Sequence, residues 1–581
     1  PATGAMTLTV NADAPGLGVV VANLAQELAV AAPGVRNTLQ ARSPAPPFLW
    51  FTWEAGSRPV TDPTAAMPAP PEAGWGDGYA LVVAPDCVVG TARALPGLAN
   101  ALRTLNQLLR ANRHGAAIPA LSIRDWPALR YRGYQDDMTR GPSSTLSFLQ
   151  EELDLGAAAK MNLFTYYMEH QFAFAKHPLI GLPEDNGGLG PGELRDLVAA
   201  ARARHIDVLG CQQSFGHSWN ILRHKEYEHL RETPGILDPT NEETYRLLDD
   251  LYREQTALLP FPFFNVCCDE TEGLGTGPSA KLAAQIGVGG VYARHMARLH
   301  RLLKENHGKR MMMWGDIILR HPENLKEIPP DTLMLTWGYS PRPDFSDQIE
   351  PFRASGFEFF VCPGVNGWSR ILPDFADATV NIRNFLRDGA AMGALGAINT
   401  TWDDDGGNLG GAHWHGFLWG AECAWNGGAT TPEDFNRRVG AIAFREAGDH
   451  FGQAVQCLGQ AASLPGLDGM MDRRFWKLDT AECPVAEPVT RSQAAAILAA
   501  VNPAVEHLRA LKAEASANVH AAEVMLFGAE RLQLIGERMT VMLDVARAAE
   551  LAVRGELTPA QARQRTIEPL RDLRRRHADL R

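Results

Sequence analysis

From Leu129 onward the chain repeats one pattern: a short apolar run ending in polar or aromatic residues, then a stretch with helical periodicity. The runs are "LRYRGYQDD", "NLFTYYME", "IDVLGCQQS", "FPFFNVCCDE", "RMMMWGD", "TLMLTWGY", "FEFFVCPGVN" and "LGAINTTWDDD", eight in all. Between most of them lie helical segments such as "TLSFLQEELDLGAAAK", "PGELRDLVAAARAR" and "NEETYRLLDDLYREQTALL". Strands separated by helices of this length read as parallel βαβ units, not hairpins. Eight such units over roughly 300 residues predict a (β/α)8 TIM barrel.

The flanks differ in character. Residues 1–122 mix strands ("TLTVNA", "GYALVVAPD") with helices ("GVVVANLAQELAVAA", "LPGLANALRTLNQLLRA") and a Pro-rich loop, "DPTAAMPAPPEAGWGDG". They predict a small N-terminal α/β domain. The barrel is expected over 123–430. Residues 431–581 are rich in Ala, Leu and Arg with helical periodicity, as in "SQAAAILAAVNPAVEHLRALKAEA". This C-terminal helical region is expected either to close the pocket or to form a homodimer interface.

A net charge of −12 argues against a nucleic-acid partner, which needs a basic face. No run approaches 18 apolar residues, so no transmembrane helix and no membrane partner is expected. Pro1–Ala5 resemble an expression scar before Met6, and no basic start or apolar core of a signal peptide follows. A cytoplasmic location is expected, although a removed signal peptide leaves the same picture. Eight cysteines without a CxxC pair suggest neither a disulfide framework nor a zinc site. As neighbours on a strand, Cys267 and Cys268 should face opposite ways as small buried hydrophobes. "HWH" (413–415) lacks an evident third ligand and reads as a loop wall, so neither metal nor cofactor is expected. "GLGTG" (273–277) lacks a dinucleotide fingerprint and reads as a mobile loop after the fourth strand.

Barrels keep their chemistry at the C-terminal ends of the strands. Here those ends carry Arg132 and Asp136, Glu169, Gln213 with His217 beyond it, Asp269 and Glu270, Trp314 and Asp316, Trp337 and Tyr339, Asn366 and Trp368, and Trp402, Asp404 and Asp405. A purely structural barrel has no reason to repeat this at every strand. The pattern describes one acidic, Trp-lined pocket. A lone Trp is more often a core residue, but Trp314, Trp337, Trp368 and Trp402 share one topological position. The C–H face of a pyranose packs on such rings, and carboxylates accept its hydroxyl protons. Glycoside hydrolysis is the chemistry this combination suggests, with one acid protonating the leaving oxygen and a second carboxylate acting opposite. Adjacent Asp269 and Glu270 fit that scheme poorly. They fit well when the substrate supplies its own nucleophile, a 2-acetamido oxygen that attacks the anomeric carbon.

The segments "YRGYQDDMTR", "KMNLFTYYMEH", "VCCDE", "MMMWGD", "LTWGY" and "TTWDDD" together resemble glycoside hydrolase family 20, the β-N-acetylhexosaminidases. The resemblance covers roughly residues 6–425. It implies a retaining exo-enzyme that removes terminal GlcNAc or GalNAc through an oxazolinium intermediate without a cofactor. By that resemblance Glu270 is the general acid/base, expected to be protonated at rest, and Asp269 orients the acetamido group. Arg132 would bind sugar hydroxyls, Trp402 would stack on the sugar and Asp404 would accept its hydroxyl protons. Trp314 and Trp337 would wall the acetamido pocket, with His217 near Asp269 or at the subsite floor. The family's second-strand "H-x-H-x-x-D-D" is replaced by "TYYMEH", with Glu169 standing for an Asp. The tyrosine that usually contacts the acetamido carbonyl has no direct match, which leaves Asn366, Trp368 and Tyr339 as candidates. These departures suggest a divergent branch near the intracellular hexosaminidase-like members. The alternatives are a barrel glycosidase for another sugar and a catalytically silent carbohydrate-binding barrel, against which the retained acid pair argues.

Overall fold

The computed structural model describes residues 7–10, 17–31, 36–37, 48–52, 76–85, 87–112, 118–182, 187–404, 409–462, 464 and 487–579. Pro1–Ala5, residues 62–75 of the Pro-rich run, Asp405 and Cys483 lie outside them. The chain falls into two compact units. The first comprises residues 1–364, 381–401 and 417–430, and the second 365–380, 402–416 and 431–581.

The first unit begins with a sheet of β1 (Thr7–Val10), β2 (Arg36–Asn37), β3 (Phe48–Thr52), β4 (Tyr79–Val83), β5 (Cys87–Ala92) and β6 (Leu121–Asp125), in the order β2-β1-β3-β5-β4-β6. Its pairs are parallel except those of β4, which runs antiparallel to β5 and β6. The helix Leu95–Ala111 buries Leu98, Leu102, Leu105 and Leu109. That spacing of four, three and four residues makes one stripe on a 3.6-residue helix, and it packs into the same core as Leu24 and Leu81. β6 spans the expected 122/123 boundary and pairs along its length with β4.

The eight apolar runs form eight parallel strands that close on themselves. In chain order these are β7 (Tyr131–Asp137), β8 (Leu163–Tyr167), β9 (Asp207–Cys211), then, after a small hairpin of β10 (Arg231–Thr233) and β11 (Ile236–Leu237), β12 (Phe263–Asn265), β13 (Arg310–Trp314), β14 (Leu333–Trp337), β15 (Phe359–Cys362) and β16 (Gly396–Thr400). β16 pairs with β7 from Gly396↔Tyr131 to Thr400↔Gln135, which closes the barrel. Every residue of β8 and β16 is buried. That is why these strands read as unbroken apolar runs: side chains fill the inside and helices cover the outside.

Arg132 corrects one expectation. It is the second residue of β7 and so lies at the strand's N-terminal end, away from the strand ends that carry chemistry. Its guanidinium is 1% exposed. It donates to the carbonyls of Lys160, Leu129 and Arg130, pairs with Asp77 at 3.3 Å and lies over the Trp425 ring. A buried cation bonded in this way ties the N-terminal sheet to the barrel floor, at the end away from the strand ends that carry chemistry. Lys160, bonded to Tyr79 Oη and Asp125, belongs to the same joint.

In the second unit the helices Pro432–Ala443, His450–Ala462, Glu487–Glu514, Val519–Val553 and Pro559–Asp579 follow one another. Ile497, Val501, Leu508 and Leu511 on one helix are buried, as are Ala522, Met525, Ala529 and Leu532 on the next. Among the described residues no helix is long and apolar enough to cross a membrane.

Candidate active site

β12 is the shortest barrel strand because the chain abandons the extended conformation after Asn265. Cys267, Cys268 and Glu270 have φ of 59°, 68° and 50°. Left-handed backbone costs a non-glycine residue about 1–2 kcal/mol, so such a turn persists only where its surroundings hold it. Here the holding groups come from β12 itself, from the neighbouring strand ends and from the helix Ala280–His307. The Cys267 amide donates to Asn265 Oδ1 at 2.9 Å, and the Cys268 amide to Gln213 Oε1 at 3.4 Å. Tyr292 Oη donates to the Cys268 carbonyl, and the Trp314 amide to that of Cys267. Both cysteines are buried, as expected, but they lie in this turn beyond the strand and do not alternate across it. The same turn lets two adjacent acids reach one histidine from different depths. The Asp269 side chain is 10% exposed, and that of Glu270 49%.

His217, itself left-handed with φ of 50°, links the pair. Its Nε2 lies 3.5 Å from Asp269 Oδ2 and 3.3 Å from Glu270 Oε2, and its Nδ1 3.9 Å from Glu169 Oε1. Gln213 Nε2 donates to the other Asp269 oxygen, Oδ1, at 2.7 Å. Behind this row, Tyr167 Oη donates to Glu169 Oε1 and Asn220 Nδ2 to Glu169 Oε2.

The charges follow from these contacts. Burial works to lower the His217 pKa, but its pairing with the Asp269 and Glu270 carboxylates outweighs burial and raises it to about 10. The same pairing holds Glu270 below the ordinary carboxylate range. Burial pushes Asp269 up, yet the pairing with His217 and the bond from Gln213 leave it lowered as well. Burial raises Glu169 against the pull of Arg140 and His217. The shifts of His217, Asp269 and Glu270 all run toward two carboxylates around an imidazolium, and for Glu270 they run opposite to the expected protonated acid.

The other expected residues divide by unit. Within the first, Trp337 stacks on Tyr339 with centroids 5.1 Å apart and planes at 19°, both half-buried at the end of β14. Trp314 ends β13 but is 1% exposed, so it backs the site and presents no open ring face. Asn366, Trp368, Trp402 and Asp404 belong to the second unit. There Asn366 is left-handed and its carbonyl accepts the Asp374 amide, while the Asp404 carbonyl accepts the Ser369 amide. His413 and His415 are in that unit too, buried and held neutral, each with a pKa lowered to about 4 by burial. Among the described residues no group of three or more His, Cys, Asp and Glu could hold a metal ion.

Sequence reasoning attached no role to four residues that the geometry brings to the acids. Arg140 lies 3.9 Å from Glu169 and 3.7 Å from Asp137, with its guanidinium over the Tyr167 ring. It is the last letter of "YRGYQDDMTR", three residues past the end of β7, and that position was the signal to prefer it to Arg132. Tyr167 is the last residue of β8, and its place at the strand end was the signal. Gln213 and Asp316 were visible as strand-end residues only. Asp316 Oδ2 accepts the Glu270 amide at 3.1 Å. The loop expected to be mobile is pinned. Glu232 of β10 accepts the amides of Gly275, Gly277 and Ser279 and the Ser279 hydroxyl, at 2.7–3.0 Å. The loop's nest of N–H groups already holds an anion, this carboxylate.

Residues 7–126 match the family model "Glycosyl hydrolase family 20, domain 2", and residues 129–365 match "Glycosyl hydrolase family 20, catalytic domain". Together they take in more than half of the chain. A beta-hexosaminidase of Emericella nidulans is 25% identical over 294 residues, covering 43% of this chain and 47% of that protein. Hexosaminidase D of Bos taurus is 23% identical over 290 residues, 45% of this chain and 82% of that one. The chain thus spans about half the length of the Emericella protein. Among solved structures, Flavobacterium johnsoniae chitobiase superposes with a TM-score of 0.63 at 19% identity, over 97% of this chain and 92% of that one. Streptomyces plicatus N-acetyl-beta-hexosaminidase does so with a TM-score of 0.56 at 19% identity, over 75% and 90%. At such identities the structural likeness is one of fold.

Proposed function

The chain belongs to glycoside hydrolase family 20, and from that premise we propose that it is a retaining exo-β-N-acetylhexosaminidase that removes terminal GlcNAc or GalNAc by substrate-assisted catalysis. The observation that carries this reading is the convergence of Asp269 and Glu270 on one imidazole nitrogen. Two carboxylates gathered on one side chain form one wall of a cavity. Acid and nucleophile in an ordinary retaining glycosidase flank the scissile bond about 5–5.5 Å apart. An acid pair on one wall suits a substrate whose own acetamido oxygen attacks.

The steps assign each group one task. Asp269, deep and fixed by Gln213, accepts the acetamido N–H and turns the acetamido oxygen toward C1. Glu270, at the mouth, receives the His217 proton as substrate displaces water and passes it to the glycosidic oxygen. The C1–O bond breaks as the acetamido oxygen bonds to C1, which gives the oxazolinium ion and the free leaving group. Water then attacks C1, Glu270 takes its proton and returns it to His217, and the acetamido group is restored. Glu169 orients His217 through Nδ1. Arg140 is the cation nearest these acids on the β7 side and takes the sugar-hydroxyl role first given to Arg132. Trp337 and Tyr339 form the acetamido wall, with Tyr339 donating to the carbonyl. Seven free cysteines among the described residues, six of them buried, suit a reducing compartment and hence a cytoplasmic location.

The test compares p-nitrophenyl β-GlcNAc, β-GalNAc and β-glucoside, then a β-linked GlcNAc disaccharide. Both N-acetylated sugars should turn over and the glucoside should not. Glu270→Gln should lower kcat on the disaccharide by about 10²–10⁴-fold, the usual worth of a general acid. Glucoside cleavage at a comparable rate, or near-normal turnover by the variant, would contradict the assignment.

A further inference from the structure

The acid at the mouth is held by a residue outside the proton relay. Glu270 is left-handed, with φ of 50°, and its amide points away from the cavity to Asp316 Oδ2 at 3.1 Å. Asp316 follows β13, so the support comes from the next strand around the barrel. The rest of the turn has its own supports: Asn265 for Cys267, Gln213 and Tyr292 for Cys268, and Gln213 with His217 for the Asp269 carboxylate. The Glu270 side chain meets only His217 among these supports, and His217 must release its proton during the reaction. The amide bond to Asp316 is the constraint that persists through the proton transfer.

From this geometry we propose that Asp316 is a positioning residue for the general acid, fixing the left-handed backbone that aims Glu270 at the leaving group. Two further observations agree. Among the described residues the second Asp316 oxygen, Oδ1, is buried without a hydrogen-bond partner, so the Glu270 amide is the one neighbour this side chain is seen to hold. Burial, with the Asp269 charge beside it, raises the Asp316 carboxyl to about 7, against the pull of the Glu270 amide and Arg320. A carboxyl that close to neutral is well imitated by a carboxamide, which keeps the acceptor oxygen.

This inference rests on the hexosaminidase reading, and its test separates the two. Wild type, Asp316→Ala and Asp316→Asn are assayed on the 2,4-dinitrophenyl β-N-acetylglucosaminide and on the β-linked GlcNAc disaccharide. The first has a leaving group that departs without a proton and the second does not. Asp316→Ala should lower kcat on the disaccharide by about 10²-fold with KM little changed, because misaimed acid catalysis forfeits most of its usual factor. On the dinitrophenyl substrate its kcat should stay within about 3-fold, since acid catalysis adds little there. Asp316→Asn should recover most of the loss. If Asp316→Ala does not fold, Asp316→Glu, which displaces the acceptor by one methylene, reads the same split. Equal losses on both substrates, or an Asn variant as impaired as Ala, overturn the positioning role alone. Failure of the wild type to cleave either substrate overturns the hexosaminidase reading and this one with it.

Discussion

His217 joins the acids, and its titration shapes how the site responds to pH. Its pKa rises from an ordinary value near 6.5 to about 10 on folding. A base whose pKa rises on folding contributes stability that is fully present below its unfolded pKa and is lost as pH climbs through the folded one. The window here runs from about 6.5 to about 10. Asp269 and Glu270 are depressed by the same contacts, so their share is lost at the acid end as pH falls through their lowered values. The thermal midpoint should therefore decline between neutral pH and pH 10 in the wild type. In His217→Gln it should be flatter over that interval, with kcat on the disaccharide reduced. A parallel decline in both proteins, read by scanning calorimetry, would mean that His217 is not the titrating group. At this scale the sequence located Asp269, Glu270, Glu169 and His217, because each follows an apolar run. It misplaced Arg132, whose position early in the strand was readable, and it could not foresee that His217 holds the proton. That depends on three carboxylates, Glu169 after β8 and Asp269 and Glu270 after β12, converging on a histidine that follows β9.

Secondary-structure elements were legible where their periodicity was strong. All eight barrel strands fall inside the predicted runs. β12 is the instructive difference, since "FPFFNVCCDE" reads as a long strand and yields three residues of one. The cysteines themselves do not favour a left-handed turn; Asn265 just before them and partners on neighbouring elements supply it. The N-terminal sheet was half-read, because β3 and β5 are short apolar runs without alternation and β6 lies beside the boundary. The turn after β12 also leaves no room beside it. A Cβ on Gly216, in the loop after β9, would come within 2.4 Å of the Asp269 carbonyl oxygen. Backbone cannot retreat as a flexible side chain would, so Gly216→Ala should destabilise the fold by about 1–3 kcal/mol, the range for overpacking. It should also lower kcat by displacing Asp269. Denaturant unfolding and turnover together check this, and an unperturbed variant would show that the two segments can separate freely.

At the scale of the whole first unit, the parts divide their labour as barrel enzymes do. The floor joins the N-terminal sheet through Arg132, Asp77, Lys160 and Asp125, while the opposite end carries the acids. The order of the eight units was legible because each strand and helix announces itself. The grouping of 365–380 and 402–416 with the C-terminal helices was not, since no local pattern reports which distant segments share contacts.

The Glu232 clamp has a consequence for the tempo of turnover. It fastens the β10–β11 hairpin to the loop that follows Asp269 and Glu270, using four hydrogen bonds to one buried carboxylate. Where a rim must swing open to release product, friction with the solvent sets the pace, and thickening the medium slows kcat. A rim fastened in this way leaves the bond-breaking step in control. The wild-type kcat on the disaccharide should hold steady as sucrose raises the viscosity of the assay. Glu232→Gln, which trades one acceptor oxygen for a donor, should free the loop and make turnover fall as the medium thickens. A wild-type kcat that already tracks viscosity would place the slow step in the rim.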